Sequence, residues 1–210
     1  MPDSRKNCES ESPEVVERLR REGEEGLAAI FQEHRPRLLR MVEARMDPRL
    51  RGRVDASDIV QEAYQDASRR LPEFLSRPDM RLFLWLRLLV GQRLFAAYRW
   101  HVQAQKRDAR REVDCAPAAR PEASSASLSF LLAADVTSPS DAAARLETRE
   151  RLRQRLEELD PLDREILSLR HFEDLSNDEA AAELGISKAA ASKRYVRALE
   201  RLREILGPSE

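Results

Sequence analysis

Five of the chain's 11 aromatic residues fall within residues 83–100: Phe83, Trp85, Phe95, Tyr98 and Trp100. Arg87, Arg93 and Arg99 interleave with them, Gln92 lies in their midst, and Lys106, Arg107, Arg110 and Arg111 follow. Flat rings that stack on bases, beside a run of cations that tracks a phosphate backbone, suit single-stranded nucleic acid. Rings at helical spacing also build cores, and Phe83, Leu86, Val90, Leu94 and Ala97 form a stripe that can be buried.

Two further groups carry chemistry. Near the C-terminus, Lys188, Ser192, Lys193, Arg194 and Arg197 share one helical stretch. Lysine and arginine bind phosphates or the O6/N7 edge of guanine. The third group is acidic and polar: Asp58, Gln61, Glu62, Gln65 and Asp66. Taken alone it reads as an ordinary solvated face. Paired carboxylates can also hold a metal, but no histidine joins these, and His34, His101 and His171 are scattered. No nucleophile–base pair and no glycine-rich phosphate loop is present, so catalysis has no positive support.

The elements that must position these groups read as helices throughout, and no strand alternation of useful length is seen. Residues 1–25 lack periodicity and read as an acidic tail. From Gly26 the spacing of Leu27, Ile30, Phe31, His34, Leu38, Val42 and Met46 predicts a helix, which Pro36 kinks or breaks. Asp55-Ala56-Ser57-Asp58 looks like a cap to a second helix, whose apolar face is Ile59, Val60, Ala63, Tyr64, Ala67 and Leu71. Residues 72–78 read as a connection. A long helix then runs from Met80 to about Arg110. Residues 112–144, rich in Ala, Ser and Pro, form a linker, with a short apolar patch at residues 128–132 that either docks or is a chance cluster.

The C-terminal part carries the sharpest local signals. Asp160-Pro161 ends one helix and opens another. Ser176 and Glu179 have the spacing of a capping box, Gly185 sits where a helix ends on a left-handed residue, and Ser187 can cap the next helix. Helix, tight glycine turn, helix is the geometry that lays a second helix in a DNA major groove. Its apolar stripe is Ala191, Tyr195, Ala198, Leu202 and Ile205.

Composition agrees with small wet helical units rather than one large core: 36% of the 210 residues are charged and 41% hydrophobic. The net charge of −1 hides an uneven distribution, because residues 81–111 carry +7 and residues 184–206 carry +4 in an otherwise acidic chain. A phosphate backbone is drawn to those two blocks and repelled elsewhere. The apolar run Leu82–Leu86 is closed off by Arg81 and Arg87, so nothing spans a bilayer. The first 25 residues do not read as a signal peptide. Two cysteines, Cys8 and Cys115, are too few for a disulfide framework, and a reducing cytoplasm is the expected setting.

With these motifs in order, the chain resembles a bacterial RNA polymerase sigma factor of the sigma-70 family, extracytoplasmic-function group. The stretch from Asp55 to Tyr64 looks like the family's region 2.2, Phe83 to Arg111 like regions 2.3 and 2.4, and Leu175 to Leu206 like region 4.2. Ala104-Gln105-Lys106-Arg107-Asp108 is similar to a planctomycete-type subgroup. The resemblance implies an all-α chain, with a region 2 helical bundle at residues 26–111 and a region 4 helix-turn-helix domain at residues 145–207, tethered by the linker.

It also implies a non-catalytic, cytoplasmic protein without cofactor or metal. Such a protein binds core RNA polymerase and directs promoter recognition, DNA melting and initiation. Asp58, Gln61, Glu62 and Gln65 would face the clamp helices of the largest subunit, and the flap would be a further contact. Arg87, Gln92, Arg93, Tyr98, Arg99, Trp100, Lys106 and Arg107 would engage the minus-ten element, duplex and then single strand. Lys188, Ser192, Lys193, Arg194 and Arg197 would read the minus-thirty-five element. An anti-sigma factor is a further partner that the family allows. Ala191, Lys193 and Gln92 depart from the family's usual residues and leave the promoter sequence open. The alternative is a helix-turn-helix regulator acting without a sigma role, which needs neither the aromatic-arginine helix nor the acidic face.

Overall fold

The computed structural model describes residues 13–76, 81–103, 125, 128–129 and 142–206. Among them the regular elements are all helical. Helices α1 (Pro13–Arg45), α2 (Ala56–Ser76) and α3 (Leu82–Tyr98) come first, and α3 runs into a π-helical turn, Arg99–Gln103. Then follow α4 (Ala142–Glu157), α5 (Pro161–Leu167), a second π-helical turn (Ser168–Phe172), α6 (Asn177–Leu184) and α7 (Lys188–Leu206).

Three expectations about the first helices are corrected. Helix α1 starts at Pro13, not at Gly26, and Leu19 within the expected tail is fully buried. A leucine sealed in this way contributes about 2–5 kcal/mol relative to alanine, which explains why this acidic stretch belongs to the fold. The break in α1 lies at Gly23, with φ 57° and ψ −128°, and the backbone runs on through Pro36 in helical geometry. Glycine alone takes that positive φ without a Cβ clash. Likewise α2 continues through Pro72 to Ser76, where a connection was expected. Both proline rings face solvent.

Helices α1, α2 and α3 bury Leu27, Ile30, Leu38 and Val42 against Val60, Ala63 and Ala67, with Leu86, Val90 and Leu94 of α3 completing the layer. Phe31 meets Tyr64 edge-on at 5.0 Å, and Phe74 stacks on Trp85 at 4.6 Å. Residues Leu82 to Arg87 are buried without interruption. A helix apolar all round has neighbours on every side. Phe83, Leu86, Val90 and Leu94 do form the buried stripe, with Ala97 packed at its end.

In the C-terminal helices Leu156, Leu159, Ile166, Leu169, Ala180, Ala181, Ala191 and Ala198 are buried, the small residues letting α6 and α7 approach closely. The same apolar cluster runs through both halves of the chain. Leu128 joins it, 1% exposed, so this residue of the linker patch docks; residues 130–132 lie outside the described residues.

The halves are also joined by buried ion pairs. Glu173, after the second π-helical turn, accepts from Arg45 Nε at 2.8 Å, Arg87 Nε at 2.9 Å and Ser168 Oγ at 3.0 Å. Arg87 also pairs with Glu183 at 2.6 Å, and Arg45 with Glu165. Arg37 donates to Glu179 at 3.1 Å and to the Asp174 carbonyl at 3.0 Å, with its guanidinium 3.6 Å above the Phe83 ring. Burial opposes ionisation of Glu173, but the attraction of Arg45 and Arg87 wins and holds its carboxyl down at about 2.

Candidate nucleic-acid interface

The turn between α6 and α7 is built as its residues predict. Ser176 accepts from the Glu179 N–H at 3.2 Å while Glu179 Oε2 accepts from the Ser176 N–H at 2.7 Å, closing the capping box. Gly185 ends α6 at φ 65°. The Ser187 hydroxyl accepts from the Ala190 N–H at 3.2 Å and caps α7. One helix upstream, the Asp160 carboxylate accepts from the Leu162 N–H at 2.9 Å, with Pro161 in the first turn of α5.

This frame presents Lys188, Ala189, Ala190, Ser192, Lys193, Val196 and Arg197 on the exposed side of α7. Their cations are not equivalent. Lys188 Nζ pairs with Asp178 at 2.5 Å. Ser192 Oγ donates to Asn177 Oδ1 at 3.1 Å. Arg194 Nη1 donates to Asp163 Oδ1 at 2.7 Å and to Asp160 Oδ1 at 3.2 Å. Arg197 grips the same Asp163 through Nη2 at 2.8 Å and Nε at 3.2 Å. Asp163 is fully buried. Burial opposes its ionisation, and the hydrogen bonds from Arg197 and Arg194 outweigh it and hold the carboxyl below the usual range. Of the four α7 cations expected to read DNA, Lys193 alone has no carboxylate partner among the described residues.

Around the end of α3 the expected residues separate. Trp100 is 75% exposed and Arg99 beside it is exposed. Tyr98 is half-buried, its hydroxyl accepting from Arg49 Nη2 at 3.1 Å. Gln92 is exposed and accepts from Arg70 at 3.3 Å. Arg93 is tied to Asp66, Nη2 to Oδ1 at 2.6 Å, and reaches Glu62 at 3.4 Å. The hydrogen bonds from Arg93 hold the Asp66 carboxyl at about 2. Arg87 departs furthest from the expected surface: its side chain is 4% exposed, sealed between Glu173 and Glu183. Lys106 and Arg107 lie outside the described residues.

On α2 the expected stripe forms. Asp58, Gln61, Glu62 and Gln65 are all exposed on successive turns, while Ile59, Val60 and Ala63 face inward. Asp55 accepts from the Ser57 N–H at 2.7 Å and starts the helix. Ser57 is in turn held to α1 by Arg35, Nη2 to Oγ at 2.6 Å. Among the described residues no group of His, Cys, Asp and Glu could hold a metal ion, and no helix is long and apolar enough to cross a membrane.

Asp163 and Glu173 are the functional-region residues that sequence reasoning passed over. One signal was available for Asp163. Asp160, the cap of α5, lies three residues before Asp163, and Arg194 and Arg197 are three apart on α7, a spacing that puts each pair on one side of its helix.

The arrangement of α6, Gly185 and α7 within this C-terminal part is matched by a known family. Residues 149–202 match Sigma-70, region 4. The region 4 match spans less than half of the chain and includes the capping box, the glycine turn and the exposed face of α7. Among solved structures, the chain is similar in fold to CnrH, in a structure of CnrH in complex with the cytosolic domain of CnrY. Identity is 22% and the TM-score 0.52, covering 91% of this chain and 94% of that one. A second similar structure is the sigma factor RpoE in complex with the anti-sigma factor NepR from Bartonella quintana, at 16% identity and a TM-score of 0.44, covering 87% and 94%. No curated protein matches the chain in sequence.

Proposed function

We propose that this chain is a sigma factor of the extracytoplasmic-function kind, which binds core RNA polymerase and directs promoter recognition, DNA melting and initiation. The observation that carries the reading is the coincidence of the region 4 match at residues 149–202 with a capped helix–glycine turn–helix whose outer face is cationic. In this reading α7 enters the major groove of the minus-thirty-five element, with Lys193 the one of its four expected reading cations that has no carboxylate partner among the described residues. Tyr98 at the end of α3 and Arg99 and Trp100 in the turn that follows stack on and hold the separated minus-ten strand, with Gln92 and the cations Lys106 and Arg107 as further contacts. The exposed stripe Asp58, Gln61, Glu62 and Gln65 docks on the polymerase clamp helices, and the flap is a second contact.

Each DNA contact alone is weak. Mounted together on one polymerase, the two surfaces act at high mutual effective concentration, so the promoter must present both elements at the correct spacing. The deciding experiment is runoff transcription with purified core polymerase and a promoter library. Promoter-dependent transcripts that require the chain support the reading. Failure to co-purify with core polymerase, or transcription equal without the chain, ends it. An inhibitory anti-sigma protein is a further partner class for the same surfaces, testable as loss of that transcription on its addition.

A further inference from the structure

We infer that Asp163 is a positioning and specificity-determining residue for α7: it clamps Arg194 and Arg197 to α5 and so removes two cations from indiscriminate phosphate binding. The inference rests on the reading of α7 as a DNA-binding helix. Three observations carry it. Asp163 is fully buried, yet both of its carboxylate oxygens face α7 and accept three hydrogen bonds of 2.7–3.2 Å from the two guanidiniums. Asp160 adds a second carboxylate at 3.2 Å from Arg194, so two arginines meet two aspartates and the clamp is locally neutral. Lys193, one residue before Arg194 on the helix, has no such partner among the described residues.

A bidentate arginine–carboxylate pair is directional, unlike a point-charge contact. Arg197 directs Nε and Nη2 at Asp163, which fixes the plane of the guanidinium, and Nη1 has no acceptor among the described residues. Its long side chain is therefore ordered before any DNA arrives, and the axis of α7 is pinned to α5. Without Asp163 the cluster is no longer neutral: Arg197 loses its carboxylate and Arg194 keeps only Asp160 at 3.2 Å. Cations released in this way seek any phosphate, which strengthens binding to every sequence and dilutes the preference for one.

The test uses the full chain, a short random-sequence duplex, and the duplex that the wild-type chain selects from a randomised library. Asp163→Asn is expected to raise affinity for the random duplex about tenfold at low salt, and to steepen the slope of log K against log salt by about one to two. The ratio of selected to random affinity falls correspondingly. Adding Arg194→Gln and Arg197→Gln to Asp163→Asn returns the slope to that of wild type. A merely structural loss would lower both affinities and leave the slope unsteepened.

Lys193→Ala separates the two layers of the argument. If it binds the random duplex as wild type does, the reading of α7 itself fails. If it weakens binding while Asp163→Asn keeps the wild-type slope and ratio, the reading of α7 stands and the clamp is overturned. Should Asp163→Asn melt at ordinary temperature, the arginine Nε–H resonances of the wild-type chain decide instead. An Arg197 Nε–H signal unmoved on saturation with random duplex supports the clamp, and a signal that shifts with binding overturns it.

Discussion

Arg87 of α3 donates its Nε hydrogen to Glu173 at 2.9 Å, and both side chains are almost wholly sealed from solvent. The bond ties the helix that carries the aromatic-basic surface to the turn that precedes the region 4 capping box. Because Arg45 shares Glu173, one carboxylate anchors two helices of the N-terminal half at once.

Glu173→Gln therefore removes countercharge from two buried guanidiniums. Breaking a buried pair from one side costs about 3–5 kcal/mol. The expected result is a lower denaturant midpoint at an unchanged slope of free energy against denaturant. A midpoint equal to wild type would mean that Glu183 and Glu165, the other partners of Arg87 and Arg45, suffice to hold the two guanidiniums. The pH dependence has a definite sign. The Glu173 carboxyl is held at about 2 against an ordinary 4.5, so its contribution is complete above 4.5 and is lost as pH falls toward 2.

His34 gives a second and earlier acid response. It is buried, its Nε2 has no hydrogen-bond partner among the described residues, and burial together with Arg37 pushes it down to about 4, with Glu179 opposing. Between 6.5 and 4 the unfolded chain binds a proton that the folded chain refuses, so stability falls as pH falls through that window. His34→Leu should flatten stability against pH there, which urea titrations at a series of pH values will measure. An unchanged curve would show that His34 takes up its proton in the folded protein.

Asp58→Arg should abolish co-purification with core polymerase while leaving the melting curve in place, since an exposed substitution away from packing costs within about 0.5 kcal/mol. Glu62→Arg makes the same test less cleanly, because Glu62 also touches Arg93 at 3.4 Å. Normal polymerase affinity of the Asp58 variant would remove the α2 stripe from the docking surface.

Trp100→Ala should weaken binding of a single-stranded minus-ten oligonucleotide by the holoenzyme by about 1–3 kcal/mol, the worth of one stacked base. Duplex minus-thirty-five binding should not change. Equal oligonucleotide affinity would leave the 75% exposed indole without the role proposed for it.

What the chain determined by itself is local. The Ser176–Glu179 capping box, the left-handed Gly185, the Asp160 cap and Pro161 all depend on neighbours within a few residues, so their types and spacing settle their geometry. The buried stripe of α3 and the polar stripe of α2 are likewise periodic, and a helix converts periodicity directly into faces.

Tertiary structure decided which cations are available. Arg87 and Arg99 look alike in sequence, twelve residues apart among the same aromatics. Arg87 is sealed because Glu173, 86 residues away, meets it, while Arg99 faces solvent. Arg194 and Arg197 are set apart from Lys193 by Asp163, more than thirty residues upstream, with Asp160 adding to the hold on Arg194. The helical start at Pro13 belongs to the same class, since Leu19 takes its burial from the assembled core. A charge pattern along a chain records where charges lie, but their availability depends on distance and desolvation, and both arise only when separate helices come together.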